Sequence, residues 1–360
     1  MTAFLIIIAI ALLGITAWQI SKIFKLSQSG KKKVEETQIA NNTDNKRNGL
    51  LFMGFMVLFY FLMAYSFIVY GDFYLPEAAS EHGSKVDTLM FVTVGVIMFV
   101  QLITQFLLFY YSYKYRGEKG KKALFYADND KLEFIWTVIP VIVLAGLIIY
   151  GLFTWTDIMD VSKDEDTMVV EIYAYQFGWK ARYAGEDNTL GKANVRFIEG
   201  VNTLGVDKSD PYGKDDIITS KLYLPKGKRV LFKMRSQDVL HSAYFPFFRA
   251  QMNVVPGMIT QFSFTPSITT EEMRKSEYMV DKVRNINRIR KERSKELVQE
   301  GNVPLDDYTF DYYLLCNKVC GVSHYNMQME LVVEGKEDYQ EWLNEKKTFG
   351  ETMAKEKEDK

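Results

Sequence analysis

The 360-residue sequence has few of the side chains on which many functional sites depend: two cysteines, three histidines and eight prolines. Two cysteines cannot supply the disulfide framework of a small secreted scaffold, and so few thiols and imidazoles exclude a protein with several zinc sites. No C-x-x-C-H segment is present, which excludes the usual haem-attachment motif. The formal net charge is −1, so nothing indicates a nucleic-acid partner.

Long apolar runs are present, and they are crowded into the first 155 positions. Four stretches contain no Lys, Arg, Asp or Glu and are close to the ~20 residues that a helix needs to cross a bilayer. They are Ala3–Ile20, Leu50–Tyr70, Thr88–Tyr111 and Phe134–Phe153. The sequence therefore predicts four transmembrane helices. A cleaved signal peptide is the alternative for the first, although that stretch lacks a basic leader and a clear cleavage site.

Basic residues are unevenly distributed among the loops between these stretches. The loops after the first and third stretches are rich in Lys and Arg, whereas Gly71–Asp87 contains one lysine and four acidic residues. Short loops rich in Lys and Arg stay on the cytoplasmic side of a membrane. We therefore expect the N-terminus and everything after residue 155 to lie outside, in a multi-pass protein of a bacterial inner (cell) membrane.

After about residue 165 the pattern changes to short runs rich in β-branched and aromatic residues, separated by turn signals. The predicted strands are Thr167–Tyr173, Ile217–Leu224, Arg229–Arg235, Met258–Phe264, Tyr308–Leu315 and Met327–Val333. Such short strands without alternating helices are typical of an antiparallel sandwich or a Greek-key barrel. We expect this all-β domain to span residues 165–335.

Two helical segments interrupt or follow the predicted strands. Residues 269–301 form a charged insertion whose start carries a capping box, Thr269 with Glu272. Its arginines either attract an acidic partner or form a solvated face. Residues 336–360 are expected to begin as a short amphipathic helix and to end in a disordered, charged tail.

Both cysteines and one histidine lie in a single segment, which reads C-x3-C-x3-H-x2-M from Cys316 through Cys320 and His324 to Met327. A second imidazole ligand, His241, is expected from the end of another strand. Thiolate, imidazole and thioether are soft ligands, and this combination favours copper. A Cys316–Cys320 disulfide, a zinc site and a mononuclear blue-copper site are the alternatives. Two thiolates that bridge suit a pair of copper ions better than any of these.

These motifs resemble subunit II of the haem–copper cytochrome c oxidases. The resemblance covers about residues 85–335 and rests on the 316–327 loop, on two shorter motifs and on the start of the fourth apolar stretch. The shorter motifs are Val239-Leu-His241-Ser242 and Val255-Pro256-Gly257, and the stretch begins Glu133-Phe-Ile-Trp136-Thr-Val-Ile-Pro140. The resemblance implies a transmembrane hairpin at 85–157 and an exported cupredoxin-like barrel with the binuclear copper centre called CuA. Residues 1–70, with two helices and a basic cytoplasmic loop, are then additional.

The resemblance also implies roles for individual residues. Cys316 and Cys320 would bridge two coppers, and His241 and His324 would each bind one of them. Met327 and the backbone carbonyl of Lys318 would be the weak ligands. Electrons would arrive near Phe177 and Trp179. Glu133 would lie at the mouth of a proton channel, with an ordinary interfacial carboxylate as the alternative.

The sequence departs from this family at several of the same positions. The family usually has Glu where Lys318 stands, so a magnesium site at the subunit I interface is doubtful. Phe177 stands where the family often has the tryptophan that receives electrons. Lys180 and Arg182 fall where acidic docking residues would be expected, which suggests a tethered or supercomplex-bound cytochrome c-type donor.

The resemblance therefore implies the electron-accepting subunit of a cytochrome c oxidase. It would take electrons from a cytochrome c-type donor and pass them to haem in subunit I, beside its copper ion and among the other oxidase subunits. Oxygen reduction to water and the coupled proton translocation would lie in that partner chain. A membrane-anchored copper chaperone or sensor is the alternative function, followed by a structural β domain without metal. A quinol oxidase subunit shares the fold but normally lacks the copper ligands.

Overall fold

The computed structural model describes residues 2–28, 41–162 and 166–358 of the chain. Its first four helices coincide with the four predicted apolar stretches: α1 (Thr2–Gln28), α2 (Asn42–Tyr74), α3 (Gly83–Lys114) and α4 (Asp130–Ile158). Among the described residues, α2, α3 and α4 are long and apolar enough to cross a membrane, and α1 contributes the shorter apolar stretch Ile10–Ile23. The chain is therefore a membrane protein. Most of the predicted basic loop after α1, residues 29–40, lies outside the described residues.

The chain divides into two compact units. The first comprises the residues up to Ile68 together with Ile97–Asn129. Within it, the Tyr60 hydroxyl of α2 donates to the Gln101 carbonyl of α3 at 3.3 Å, and Asn45 Nδ2 donates to the carbonyl of Gly117 in the loop after α3 at 2.8 Å. The second unit comprises Val69–Val96 and everything from Asp130 onwards, and it contains the β domain.

The β domain is a sandwich of two five-stranded sheets. The first sheet has the order β3-β2-β1-β5-β8, and the second has the order β4-β10-β9-β6-β7. The strands are β1 (Met168–Tyr175), β2 (Gly178–Tyr183), β3 (Ile217–Thr219), β4 (Leu222–Pro225), β5 (Val230–Ser236), β6 (His241–Phe245), β7 (Ala250–Val254), β8 (Thr260–Phe264), β9 (Tyr312–Cys316) and β10 (Gln328–Glu334). Only the β1–β5 and β4–β10 pairs among these strands are parallel. The predicted all-β fold with a helical insertion is confirmed.

Aromatic rings fill the space between the sheets. Phe232 on β5, Phe245 on β6 and Phe264 on β8 are buried, with ring centroids 4.9–5.4 Å apart. Fully burying a side chain of this size contributes roughly 1.5–3 kcal/mol. Tyr312 on β9 joins this cluster through Phe248, so the core connects β6 and β9, the two strands whose ends carry His241 and Cys316.

Most strand predictions match the structure, with two kinds of difference. The run Ile217–Leu224 forms two strands, β3 and β4, which belong to different sheets. β2 and β7 were not predicted as strands, and β6 was expected only as the strand whose end carries His241. They are only five or six residues long, and β6 and β7 carry little of the β-branched signal that marked the others.

The insertion after β8 contains two helices rather than one. α5 (Thr270–Lys275) begins with the predicted capping box, in which the Thr269 side chain accepts from the Glu272 N–H and Glu272 reaches back to Thr269. Ser276 ends α5 and caps α6 (Glu277–Gln299). The arginines of α6 pair locally, for example Arg284 with Asp281 at 2.6 Å and Arg288 with Glu292 at 3.1 Å. These pairs favour the solvated-face interpretation.

The C-terminal segment differs from its prediction. α7 (Lys336–Asn344) is the expected short helix, but the expected disordered tail contains a further helix, α8 (Phe349–Glu358). Phe349 is buried and packs, together with Met353, against Tyr173 and its neighbours on the outer face of the first sheet. The segment is rich in Lys and Glu, and its two apolar side chains are too few to predict a helix that packs against the sheet.

The residues before α3 are attached to the β domain. The Ala79 N–H donates to the Phe247 carbonyl at 2.7 Å. Arg249 forms an ion pair with Asp87 on the first turns of α3, with Nε 2.8 Å from Oδ1. Because Arg249 lies four residues after the end of β6, this attachment fixes the start of a membrane helix relative to the strand that begins at His241.

Candidate metal centre

Two adjacent strands of the second sheet bring the predicted ligands together. His241 is the first residue of β6, Cys316 is the last residue of β9, and Ala243 pairs with Cys316 across the two strands. The loop after Cys316 returns to β10, where the Cys316 N–H donates to the Met327 carbonyl at 3.1 Å. A short 3-10 turn, His324–Asn326, directs His324 back towards the cysteines.

The side chains of both cysteines lie at the centre of the cluster, with Sγ atoms 3.9 Å apart. Cys316 Sγ lies 3.9 Å from His241 Nδ1 and 3.2 Å from the Lys318 carbonyl oxygen. Cys320 Sγ lies 3.7 Å from His324 Nδ1 and 3.6 Å from Met327 Sδ. Each thiol therefore has one imidazole and one weaker donor beside it.

This donor set fits metal ions of the copper type. Ligands that bind one tetrahedral metal at about 2.0–2.3 Å are separated from each other by roughly 3.5 Å, which is close to the spacings seen here. The ligand atoms of His241, Cys316 and Cys320 lie within 4.8 Å of one another. A mixed set of sulfur and nitrogen donors is compatible with a copper site.

The arrangement argues against the three alternatives, a disulfide, a zinc site and a mononuclear blue-copper site. Both cysteines are free thiols, and their separation is nearly twice the ~2.05 Å of a disulfide bond. Zinc in proteins is held by Cys, His and carboxylate ligands, which would leave Met327 without a role. A mononuclear blue-copper site would use a single cysteine, whereas here each thiol has its own imidazole.

Four of the five ligand side chains are buried, and the fifth, His324, is part-buried. His241 is fully buried, Met327 is 2% exposed, and Cys316 and Cys320 are 8% and 6% exposed. Burial, followed by the neighbouring Cys316, raises the pKa of Cys320 to about 11. The thiol is therefore protonated at neutral pH until a metal displaces its proton.

The Asp238 carboxylate orients His241 through Nε2, the ring nitrogen that faces away from the thiols. Asp238 Oδ1 lies 2.9 Å from His241 Nε2, while Asp238 Oδ2 accepts from the Gln176 N–H at 2.7 Å. Burial opposes the charge on Asp238, but the hydrogen bonds from His241, Gln176 and Val239 outweigh it and lower the pKa of this carboxyl. A carboxylate on the second ring nitrogen fixes the tautomer, so Nδ1 is the nitrogen that faces the thiols.

The β1–β2 hairpin covers the ligand loop. The Gln176 side-chain amide donates to the Cys320 carbonyl. Trp179 is buried, its ring centroid lies 6.0 Å from that of His241, and its Nε1 is 3.5 Å from the Met327 carbonyl. Phe177 is half-buried against Gly321, where an added Cβ would lie 2.8 Å from the Phe177 ring. The structure thus brings both predicted electron-accepting aromatics next to the ligand loop.

Two predicted site residues have different surroundings. The Lys318 side chain is exposed, and only its backbone carbonyl faces Cys316. Glu133 lies exposed in the first turn of α4, a helix of 29 residues whose other end leads to the β domain. At 1.5 Å per residue, α4 is about 43 Å long, so Glu133 is not part of the metal centre.

Arg182 is not a surface docking residue, contrary to the sequence interpretation. It is buried between Glu171, at 2.8 Å, and Asp216, at 2.9 Å. Arg235 completes the group by pairing with Glu171 at 2.9 Å. Glu171 and Arg182 are cross-strand partners on β1 and β2. Opposite charges at paired strand positions would have predicted the buried ion pair. Because β2 was not predicted as a strand, the pairing of Glu171 with Arg182 could not be recognised from the sequence.

Asp238 and Gln176 were also not predicted to support the centre. Asp238 lies three residues before His241, and an acid at that spacing was an available signal. Gln176 comes from a hairpin 144 residues away from Cys320 in sequence. Only the tertiary fold shows that contact.

In comparisons with known proteins, this chain is similar to subunit II of cytochrome c oxidases. Residues 68–153 match the family described as "Cytochrome C oxidase subunit II, transmembrane domain". The "Alternative cytochrome c oxidase subunit 2" of Bradyrhizobium diazoefficiens is 30% identical over 285 residues, which cover 79% of this chain and 87% of that protein. "Cytochrome c oxidase subunit 2" of Cereibacter sphaeroides is 21% identical over 281 residues, covering 74% and 78% of the two chains.

Among solved structures, the periplasmic domain of subunit II of cytochrome oxidase of Bradyrhizobium japonicum is similar with 15% sequence identity. The match covers 51% of this chain and 94% of that one, with a TM-score of 0.29.

Proposed function

Because this chain belongs to the cytochrome c oxidase subunit II family, we propose that it accepts electrons from a cytochrome c-type donor at a two-copper CuA centre. It passes them to haem in subunit I, where oxygen is reduced to water and protons are translocated. The observation that carries the proposal is the pair of free thiols, each flanked by its own imidazole and its own weaker donor.

The proposed ligands divide into two sets around the shared thiols. His241 and the Lys318 carbonyl lie beside Cys316, and His324 and Met327 lie beside Cys320. When bound, a copper pair supplies a one-electron redox couple spread over both metals. The exposed Lys318 side chain offers no carboxylate for a magnesium ion, so we propose no magnesium site at this position.

The protein's contribution is a rigid, dry cradle. Strands β6 and β9 fix His241 and Cys316 from one sheet, and the Gln176 amide holds the Cys320 carbonyl from the other. Asp238 holds the His241 ring through Nε2. A site that keeps its ligands in place requires little rearrangement when its charge changes, and outer contacts of this kind tune the potential.

The donor would approach where aromatic residues lead from the surface to the ligands. Phe177 is half-buried beside Gly321, and the Trp179 ring packs edge-on to the His241 ring with the centroids 6.0 Å apart. The flanking Lys180 is part-buried, which lowers its pKa, and donates to Thr203 Oγ1 at 2.5 Å. With Arg182 buried, only Lys180 of this pair lies near the surface. The tethered-donor hypothesis rests on the missing acidic residues in this stretch, on the two additional N-terminal helices and on the inserted basic helix α6.

The predicted topology belongs to the same proposal. The β domain and the N-terminus lie on the outer side of the bacterial cell membrane, and the loops after α1 and α3 lie in the cytoplasm. Glu133, at the start of α4, then lies near the cytoplasmic surface, as the proposed role at the mouth of a proton channel requires.

Two measurements on the copper-loaded full chain test this function. In the first, a strong copper chelator is added, and we expect the metal to be retained because four of the five ligand side chains are buried and the fifth, His324, is part-buried. A chaperone would release it. In the second, reduced cytochrome c is mixed rapidly with the oxidised protein, and copper reduction is followed optically. Failure of copper reduction by any cytochrome c, soluble or co-purified, would contradict the proposal.

A further inference from the structure

A cleft of about 370 Å³ lies between α3 and α4, away from the metal centre. Its lining comes from the first turns of α3 and the last turns of α4: Ser84, Lys85, Thr88, Tyr150, Phe153, Thr154 and Asp157. All of these residues belong to the same compact unit. The cleft is crossed by an ion pair in which Lys85 Nζ lies 2.5 Å from Asp157 Oδ2.

The position of the cleft corresponds to the headgroup layer of a bilayer. α3 has 32 residues and α4 has 29, so each is longer than the ~20 residues that cross the hydrocarbon core. Ser84, Lys85 and Asp157 lie just outside the apolar stretches of the two helices. Tyr150 and Phe153 lie in the last turn of the apolar stretch, where aromatic side chains border the interface.

The polar lining is rich in hydrogen-bond acceptors. Ser84 Oγ donates to the Glu81 carbonyl at 3.1 Å, Thr88 Oγ1 to the Ser84 carbonyl at 2.7 Å, and Thr154 Oγ1 to the Tyr150 carbonyl at 3.0 Å. A hydroxyl has one proton and two lone pairs, so each of these oxygens still accepts. The Asp157 carboxylate adds a charged acceptor that is 57% exposed.

Lys85 is the one cation of this lining. Its ammonium has three N–H donors, and the contact with Asp157 uses one of them. The side chain is 58% exposed, so the remaining donors face the mouth of the cleft or the solvent. The lining thus offers acceptors for a group rich in N–H and, beside them, a donor for an anion.

We propose that this cleft binds the zwitterionic headgroup of a phospholipid with a primary ammonium, that is, of a phosphatidylethanolamine. The ammonium donates to Asp157 and to the threonine and serine oxygens, and the phosphate accepts from Lys85. The first acyl carbons lie against Phe153. A trimethylated choline headgroup has no N–H to donate, and an anionic glycerol headgroup would meet the Asp157 charge.

Native mass spectrometry of the full chain, with any subunits that co-purify, tests this proposal. The protein is delipidated in detergent and offered phosphatidylethanolamine, phosphatidylcholine or phosphatidylglycerol with identical acyl chains. We expect one ethanolamine lipid per chain to be retained about tenfold more tightly than the other two, the size of one charge-assisted hydrogen bond. Glycerophosphoethanolamine, which lacks acyl chains, should not displace it.

Variants identify the site. Asp157→Asn should abolish the preference for ethanolamine. Thr154→Val leaves the ion pair intact and should reduce the preference on the order of threefold, as expected for one neutral hydrogen bond. Thr104→Val is the matched control, since Thr104 donates to the Val100 carbonyl of α3 at 2.8 Å but lies outside the cleft. Equal retention of the choline lipid, preference for the glycerol lipid, or an equal effect of Thr104→Val would overturn the proposal.

Discussion

His241 Nε2 lies 2.9 Å from Asp238 Oδ1, while the other ring nitrogen of His241 faces Cys316 Sγ at 3.9 Å. One imidazole thus links a partly buried carboxylate to a buried thiol. The carboxylate decides which nitrogen is free to bind a metal.

The link between Asp238 and His241 predicts a specific effect on the metal. In Asp238→Ala the ring loses its acceptor, and copper affinity should fall about 10–100-fold with a shifted reduction potential. Asp238→Asn keeps an acceptor oxygen and should recover part of both. Asp207→Asn, which alters a surface carboxylate bound to Ser209, is the control. Unchanged affinity and potential in Asp238→Ala would show that the carboxylate does not position the ligand.

Gly321 is predicted to be required for two separable reasons. Its φ of +144° strains any other residue, and an added Cβ would approach the Phe177 ring to 2.8 Å. Gly321→Ala should therefore destabilise the domain by about 1–3 kcal/mol from strain alone and also change the optical spectrum of the bound copper. Gly227→Ala is the matched control, because Gly227 has φ +75° but nothing within 4 Å of an added Cβ. It should lower stability and leave the spectrum unchanged, and a spectral change there would contradict the clash argument.

The buried charge group predicts a large loss of stability. Arg182→Met leaves Glu171 and Asp216 without a shared cation, and removing one partner of a buried ion pair typically costs 3–5 kcal/mol. Arg284→Met removes an exposed pair on α6 and should cost about 0–1 kcal/mol. Denaturant unfolding of the metal-free chain in detergent measures both. Similar losses in the two variants would mean that the buried group does not hold β1, β2 and the segment before β3 together.

The same group predicts a pH dependence with a defined sign. Burial raises the pKa of Asp216 to about 6 from 3.8, against the opposing effect of Arg182. Its Oδ1 is buried without a hydrogen-bond partner among the described residues. The folded protein therefore holds a proton that the unfolded chain has lost, and this residue's contribution to stability falls as pH rises from about 4 to about 6.

The test is the difference in unfolding free energy between Asp216→Asn and the wild type. It should shift in favour of the variant as pH rises from about 4 and level off above about 6. Asp207→Asn should give a flat profile over this range and the opposite sign below about pH 4, because hydrogen bonds from Ser209 lower the pKa of Asp207, so its contribution to stability is lost only as pH falls below its unfolded pKa. A flat profile for Asp216→Asn would contradict the assignment.

Local patterns in the sequence predicted most of the fold. The four apolar stretches and the capping box at Thr269 each depend on residues close together in the chain, and the structure has a helix at each. The ligand loop from Cys316 to Met327 is equally local. By contrast, α8 forms because Phe349 finds a pocket built from Leu204, Val206 and Tyr173. The pocket residues are distant in the sequence, so the charged C-terminal segment alone does not predict that Phe349 is buried.

The support around the candidate site could not be predicted for the same reason. His241 was placed at a strand end because its residue type suited the cysteines. Gln176 and Asp238 come from two different turns, which meet only when β1 and β5 pair in parallel. The resemblance placed Arg182 in a docking stretch, whereas its two carboxylate partners, Glu171 and Asp216, come from different segments of the chain and meet it only in the fold.

The central claim is that two thiols share two copper ions, and electron paramagnetic resonance of the copper-loaded full chain tests it most directly. We predict two coppers per chain and a single unpaired electron whose hyperfine pattern shows equal sharing between both nuclei. Cys316→Ser and Cys320→Ser should abolish that pattern, and Lys318→Ala should keep it, because only the main-chain oxygen of residue 318 faces the site. One copper per chain with an electron confined to a single nucleus, or no copper bound at all, would contradict the account.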